Sequence, residues 1–243
     1  MAAKGRLYGV GVGPGDPLLL TLKACKLIAN TFVVSYLSNK EGASQARQIA
    51  SEAFAQVNHQ QLHIAICMPM DTDRTLANQA YDSGAALIAE QLEQGQDVVF
   101  LCEGDPLFFG SFAYLLQRLQ DSYQIEVVPG VSSVHAAAAA LQLPLTLQRE
   151  SFAVISGRHT DRQIRSALLE HDSLVIMKAG FARSRILALL KETNRTEQAN
   201  YLEYISRDNQ LINTDVSSIE DRPGPYFSLF VITRDRSAQS VQA

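Results

Sequence analysis

Leu7-Tyr8-Gly9-Val10-Gly11-Val12-Gly13-Pro14-Gly15-Asp16-Pro17 sets a short apolar run directly before a glycine-rich turn and an Asp-Pro pair. Leu7 to Val12 predicts a strand. Asp16 is placed to cap a helix whose first position is Pro17, where a missing N–H costs nothing. Leu18, Leu22, Cys25 and Ala29 follow at helical spacing and predict one buried face. The same grammar returns twice. Asp97 to Cys102 predicts a strand covered on both faces, because Val98-Val99-Phe100-Leu101 is continuously apolar, and Glu103-Gly104-Asp105-Pro106 follows it. The Asp-Pro pair there predicts a helix carrying Phe108, Phe112, Leu115 and Leu119. Ile125 to Val128, Pro129-Gly130, Ser132-Ser133 and an alanine-rich helix to Leu141 form the third unit. Repeated strand, turn and helix predict a parallel sheet with crossover helices.

Outward from these units, a second strand is predicted over Thr31 to Tyr36, a helix around Ala43 to Phe54, a third strand near Leu62 to Ile66 and a long helix from about Thr75 to Glu93. From Phe152 the pattern changes. Strands at Phe152 to Ser156 and Leu174 to Lys178 alternate with helices near Asp161 to Leu169 and Arg183 to Glu192. Ala199 to Tyr204, Asn209 to Asn213 and Tyr226 to Thr233 then read as three strands with no helix between them, hence a mixed sheet. The expected fold class is α/β with two α/β domains: a parallel-sheet N-terminal domain over 1–125, a mixed-sheet C-terminal domain over 126–236, and a flexible tail over 237–243.

Composition bounds the function. The chain has 243 residues, 47% hydrophobic and 19% charged, enough apolar matter for two cores and too much for a disordered chain. Net charge is −4, against the basic surface that phosphate backbones require, so no nucleic-acid partner is expected. The kind of base changes along the chain: 4 of the 8 basic residues before position 120 are Arg, and 11 of the 13 after it. Three cysteines, Cys25, Cys67 and Cys102, lie in apolar contexts and suit a reducing compartment. No apolar leader precedes Leu7, and the longest small, apolar stretch, Ala136 to Leu141, is far below the roughly 20 residues of a membrane span. The expectation is a cytoplasmic protein without a membrane partner.

The three glycine-bearing turns fall at the carboxyl ends of predicted parallel strands, where open α/β sheets bind ligands. The first fails the dinucleotide fingerprint, since the third glycine falls at Pro14 or at Asp16 depending on the start, and no Gly-Lys-Ser/Thr follows for a phosphate loop. Asp105 either caps a helix or meets a ligand. Glu103, just beyond a buried strand, needs a cationic or N–H partner, and either acid suits an amine, a ribose hydroxyl or a sulfonium. Lys178, closing a buried strand, either reaches a cleft or emerges into water along its stem. Arg158, Arg162, Arg165, Arg183 and Arg185 have the geometry for carboxylate recognition, though most are expected on solvated helix faces. His59 and His63 read as surface residues, Met68 and Met70 as irregular packing around Pro69, and His135 as structural or solvent-facing. No metal set and no nucleophile elbow stand out.

Taken in order, Gly9 to Pro17 with Leu20-Thr21, Cys102-Glu103-Gly104-Asp105-Pro106 with Phe109-Gly110, and Pro129-Gly130-Val131-Ser132-Ser133 with Ala136 to Ala140 resemble the tetrapyrrole methylase family over essentially the whole chain. Cys102 to Pro106, Lys40-Glu41-Gly42 and Leu143-Pro144-Leu145-Thr146 look most like the precorrin-2 and cobalt-factor II C-20 methyltransferases of cobalamin biosynthesis. The resemblance implies S-adenosylmethionine folded into a cleft between two α/β domains, with S-adenosylhomocysteine as product, a tetrapyrrole substrate and a homodimer. By carry-over, Pro14, Glu103, Gly104, Asp105, Ser132 and Ser133 line the cofactor site from the first domain. Met177, Lys178, Tyr204 and Ile205 line it from the second. Arg47, after Glu41-Gly42, and Asp105 are the expected substrate contacts.

One departure bears on mechanism. Relatives that methylate uroporphyrinogen carry a Tyr-Asp pair where this chain has Tyr36-Leu37, so the acid taken there as base is missing and no catalytic residue is assigned. Glu103 likewise stands where most of the family has glycine, as in the C-20 group. Methylation by the same family at another position or acceptor, a small-molecule-binding module without catalysis, and a nicotinamide-dependent dehydrogenase are the competing readings, the last weakened by the failed fingerprint.

Overall fold

A computed structural model describes residues 3–69 and 74–234. Met70 and the tail over 237–243 lie outside the described residues. The chain divides into two compact units between Ser133 and Val134.

The first unit contains β1 (Leu7–Gly11), α1 (Leu22–Asn30), β2 (Val33–Ser38), α2 (Gln45–Ile49), α3 (Ser51–Phe54), β3 (Leu62–Cys67), α4 (Arg74–Glu93), β4 (Val98–Cys102), α5 (Phe112–Leu119) and β5 (Ile125–Val128). Its five strands pair in parallel in the order β3-β2-β4-β1-β5. β4 is buried along its whole length, and its side chains alternate between two cores. Val98, Phe100 and Cys102 pack with α4 and α5 on one face. Val99 and Leu101 pack with α1, α2 and α3 on the other. The chain leaves β1 toward β2 on the second face and leaves β4 toward β5 on the first, so the winding reverses between β1 and β4. In open α/β sheets, the carboxyl ends of the strands at such a switch point are where ligands bind.

β5 pairs with β1, Leu7 with Ile125 through Val10 with Val128. It therefore completes the first sheet, and the division falls after residue 133 rather than after 125 as expected.

Both Asp-Pro helix starts are also corrected. Asp16 does cap, accepting the Leu18 N–H at 2.8 Å, but only a single 3-10 turn over Pro17–Leu19. Leu20 is extended and α1 starts afresh under the Thr21 hydroxyl, which accepts the Ala24 N–H at 3.1 Å. The break rotates the apolar stripe, and Leu18 and Leu22 are each 82% exposed rather than on a buried face. After Asp105-Pro106 no helix forms until Phe112, because Phe109 takes a left-handed φ of 56°, and Phe108 stays exposed.

The second unit holds α6 (Ser133–Leu141), β6 (Phe152–Ser156), α7 (Asp161–Glu170), β7 (Ser173–Met177), α8 (Arg183–Glu192), β8 (Ala199–Glu203), β9 (Leu211–Asn213) and β10 (Ser228–Ile232). The sheet order is β6-β7-β10-β8-β9, with β6 parallel to β7 and every other pair antiparallel. α7 and α8 cover one face around Ile176, Tyr201 and Phe230. Val134, Ala136 and Ala137 of α6 cover the other against Val175, Leu202 and Leu229. The two α/β domains, one parallel and one mixed, are those expected.

Candidate cofactor and substrate sites

In the first unit, the turns after β1, β4 and β5 are tied together at the switch point. Gly13 and Gly104 exchange backbone hydrogen bonds, the Gly104 N–H donating to the Gly13 carbonyl at 2.8 Å and the Gly13 N–H to the Gly104 carbonyl at 3.3 Å. Both adopt left-handed backbone, with φ of 83° and 65°, which glycine reaches without a Cβ penalty. Asp105 adds the third turn. Its Oδ1 accepts the N–H groups of Leu107 at 3.0 Å and Phe108 at 3.1 Å, and its Oδ2 accepts the Gly130 N–H at 3.1 Å. Close packing completes the junction: a Cβ on Gly11 would stand 2.6 Å from both the Gly104 oxygen and the Gly130 nitrogen.

Six of the sequence-derived site residues are therefore neighbours of one junction. Pro14 is buried beside it, Glu103, Gly104 and Asp105 are half-buried, Ser132 is 6% exposed and Ser133 begins α6. Asp105 resolves its two readings: it neither caps a helix nor presents a carboxylate without protein donors, but clamps the turns. Cys102, directly before them, is not a nucleophile. Burial pushes its thiol up to about 11, and its sulfur lies 3.2 Å from the Ser111 hydroxyl.

In the second unit, β7 and β8 run in the same direction on either side of β10, so their carboxyl ends share one end of the sheet. The Ala179 N–H donates to the Ser228 carbonyl at 3.2 Å and the Tyr204 N–H to the Phe227 carbonyl at 2.9 Å. Both strand exits turn through left-handed residues, Lys178 at 55° and Tyr204 at 50°. Met177, Lys178, Tyr204 and Ile205 are thus brought to one place. Ile205 is 5% exposed, its side chain packed into the core under α6. The Tyr204 and Phe227 rings lie 6.4 Å apart.

Arg47 is exposed on α2, its guanidinium 6.0 Å from the ring centroids of both Tyr36 and Phe54. The late arginines are largely committed to their own domain. Arg165 forks onto Glu192 at 2.7 and 2.8 Å. Arg183, 8% exposed, holds the Arg222 carbonyl at 2.7 Å and pairs with Glu203 at 3.4 Å. Arg185 donates to the carbonyls of Gly157 and His159 and to Asp161. Arg158 and Arg162 are exposed.

The first-unit junction suits a ligand with hydroxyl and cationic groups. The glycines pack backbone against backbone, and beside them Glu103 and Ser132 place a carboxylate and a hydroxyl at the switch point. The sequence places Gly11 and Gly130 in the converging turns, but neither is among the expected site residues. A glycine inside a strand, as at Gly11, was the available signal of close backbone approach.

Residues 6–219 match the family model described as Tetrapyrrole (Corrin/Porphyrin) Methylases. Among curated proteins, the cobalamin biosynthesis protein CobIJ of Mycobacterium tuberculosis is 33% identical over 97% of this chain, and the chain spans about half the length of that relative, 47%. The cobalt-precorrin-2 C(20)-methyltransferase of Salmonella typhimurium is 32% identical over 95% of this chain and 97% of its own. The precorrin-2 C(20)-methyltransferase of a Sinorhizobium species is 31% identical over 94% and 95%. Among solved structures, uroporphyrin-III C-methyl transferase from Thermus thermophilus, complexed with S-adenyl homocysteine, superposes with a TM-score of 0.66 at 26% identity, covering 94% of this chain and 97% of that one. A cobalt precorrin-4 methyltransferase shares the fold with a TM-score of 0.72 at 21% identity, over 94% of each chain.

Proposed function

The chain belongs to the tetrapyrrole methylase family, and from that premise we propose that it transfers a methyl group from S-adenosylmethionine to carbon 20 of a reduced tetrapyrrole, precorrin-2 or its cobalt form, in cobalamin biosynthesis. The observation that carries this reading is the match to two C(20)-methyltransferases across nearly the full length of both partners. Among members of the family, Leu37 and Glu103 favour this step over uroporphyrinogen methylation, where an acid follows the tyrosine of the second strand.

Pro14, Glu103, Gly104, Asp105, Ser132 and Ser133 hold the cofactor from the first domain, and Met177, Lys178, Tyr204 and Ile205 from the second. The Glu103 carboxylate and the Ser132 hydroxyl have the chemistry to meet ribose hydroxyls or an ammonium, while Asp105 acts by fixing the backbone they stand on. When bound, S-adenosylmethionine supplies an electrophilic methyl group that a carbon nucleophile takes by in-line displacement. The chain's part is alignment and a suitable electrostatic setting, which need little acid–base machinery. The electron-rich meso carbon forms the new bond, the sulfur keeps the electron pair of the old one, and the proton at carbon 20 leaves to water or a substrate carboxylate. Tyr36 is buried and Leu37 packs against the α4 side of the core, so neither offers a base.

The reading includes a cytoplasmic homodimer; exposed Leu18 and Leu22 offer apolar surface to a second copy. No helix among the described residues is long and apolar enough to cross a membrane. Parallel turnover assays on metal-free precorrin-2 and on its cobalt form test the substrate. Turnover on at least one is expected, and the ratio of kcat/KM names the physiological form; a chain that turns over neither is not a C-20 methyltransferase.

A further inference from the structure

The second domain carries a pocket of about 320 Å³ lined by Gly157, Arg158, Lys178, Phe181, Arg185 and Tyr226, among others. Three cations meet there in a chain whose net charge is −4. Arg185 is held rigid: Nη1 donates to the His159 carbonyl at 2.9 Å and to Asp161 at 2.5 Å, and Nη2 to the Gly157 carbonyl at 2.7 Å. Those bonds use three of its five N–H groups and leave Nε and one Nη2 hydrogen for another acceptor. Arg158 is exposed, its backbone N–H donating to the Ser156 hydroxyl at 3.2 Å. Two aromatic rings stand at the same pocket. Phe181 is 83% exposed and Tyr226 40%, an unfavourable placement for a phenylalanine unless something covers it. The backbone around them is tightly set: a Cβ on Gly157 would stand 2.8 Å from the Lys178 carbonyl, and the Gly224 N–H donates to the Gly180 carbonyl at 2.9 Å.

One held guanidinium and one exposed one beside exposed aromatic rings suit a flat apolar ring that carries carboxylates. We propose that this pocket is a carboxylate subsite of the second domain, taking an acidic side chain of the tetrapyrrole with the edge of the macrocycle against Phe181 and Tyr226. The inference rests on the methyltransferase reading for the identity of the ligand. The arginine-rich composition of the second half then acts locally: Arg165 and Arg183 hold the domain together, while Arg158 and Arg185 face the substrate.

Steady-state kinetics on the tetrapyrrole, its equilibrium Kd read by fluorescence without turnover, and calorimetry with S-adenosylhomocysteine test this on R158E, F181A and the control R162E. Both pocket residues are exposed, so these variants should fold, and Arg185 is left intact because it holds the 157–161 turn. R158E should raise the tetrapyrrole KM and Kd about tenfold and F181A about threefold, with kcat and the S-adenosylhomocysteine Kd within about twofold of wild type. R162E, the same charge change on α7 outside the pocket, should leave both constants in place. Unchanged tetrapyrrole constants in R158E and F181A overturn the subsite. So does an equal rise in R162E, which would make the effect one of overall charge, or a loss confined to S-adenosylhomocysteine, which would assign the pocket to the cofactor. Tetrapyrrole binding by wild type without methyl transfer would sink the proposed reaction while leaving the subsite to be judged on the Kd ratios; no tetrapyrrole binding at all sinks both.

Discussion

Asp105 and Gly130 are joined across two turns: the carboxylate Oδ2 accepts the Gly130 backbone N–H at 3.1 Å, while Oδ1 of the same side chain accepts two N–H groups of its own turn. One carboxylate thereby fixes the loop after β4 against the loop after β5. Replacing Asp105 with Leu should lower S-adenosylhomocysteine affinity by at least about a hundredfold, since up to three N–H groups lose their acceptor and the clamp opens. D105N, which keeps one carbonyl oxygen, should fall between. Calorimetric titration measures both; an unchanged Kd in D105L would remove this turn from the cofactor site.

Gly130 and Gly104 should fail for different reasons. A Cβ on Gly130 would collide with the Gly104 carbonyl oxygen and with Gly11, all backbone with no room to yield. G130A should therefore lose about 3 kcal/mol of stability. A Cβ on Gly104 meets nothing closer than 3.9 Å, and its φ of 65° is the sole penalty. G104A should lose about 1 kcal/mol. Urea unfolding of the two variants side by side checks the order.

The buried group around Arg183 predicts a loss in the second domain. Its side chain pairs with Glu203, and the Tyr201 hydroxyl donates to the same Glu203 oxygen at 2.9 Å. R183M should cost about 3 kcal/mol, because a carboxylate is left in the interior without its cation and the 222–224 loop loses its tether. R183M combined with E203Q should recover part of that loss, and thermal unfolding of the single and double variants reads the recovery.

His63 predicts a pH dependence in the first domain. Its ring lies 5.9 Å from Tyr36 and 5.7 Å from Phe54, and burial, then the Arg47 charge, hold its pKa below the usual histidine value. Between the lowered folded value and the ordinary value of about 6.5 the unfolded chain binds more protons. The contribution is fully present above that ordinary value and is lost as pH falls through the folded one. Substituting Gln for His63 should flatten stability against pH in that window; an unaltered slope would show that another group titrates there.

Much of the frame was legible because it rests on local signals. β5, β6 and α8 fall where apolar runs and apolar spacing put them, and the three strand-end turns converge because β1 and β4 are adjacent across the switch point. What misled was identical local grammar with a different tertiary outcome. Asp16-Pro17 and Asp105-Pro106 both promise a helix start, yet Leu20 turns extended and Phe109 turns left-handed, so the helices begin later and Leu18, Leu22 and Phe108 face outward. The role of Asp105 as a clamp depends on Gly130, twenty-five residues on, which no local spacing encodes. The same holds for the second-domain arginines: their partners, Glu192, Glu203 and the Gly157 carbonyl, are set by how helices meet one another and the strands.

Incubation of the purified chain with S-adenosylmethionine labelled with carbon-13 in its methyl group, together with precorrin-2 and in parallel its cobalt form, measures the central claim most directly. A single labelled methyl on carbon 20 of at least one product, with one equivalent of S-adenosylhomocysteine released, is the expected carbon spectrum. Label at another ring carbon, or none in either tetrapyrrole, would contradict the account.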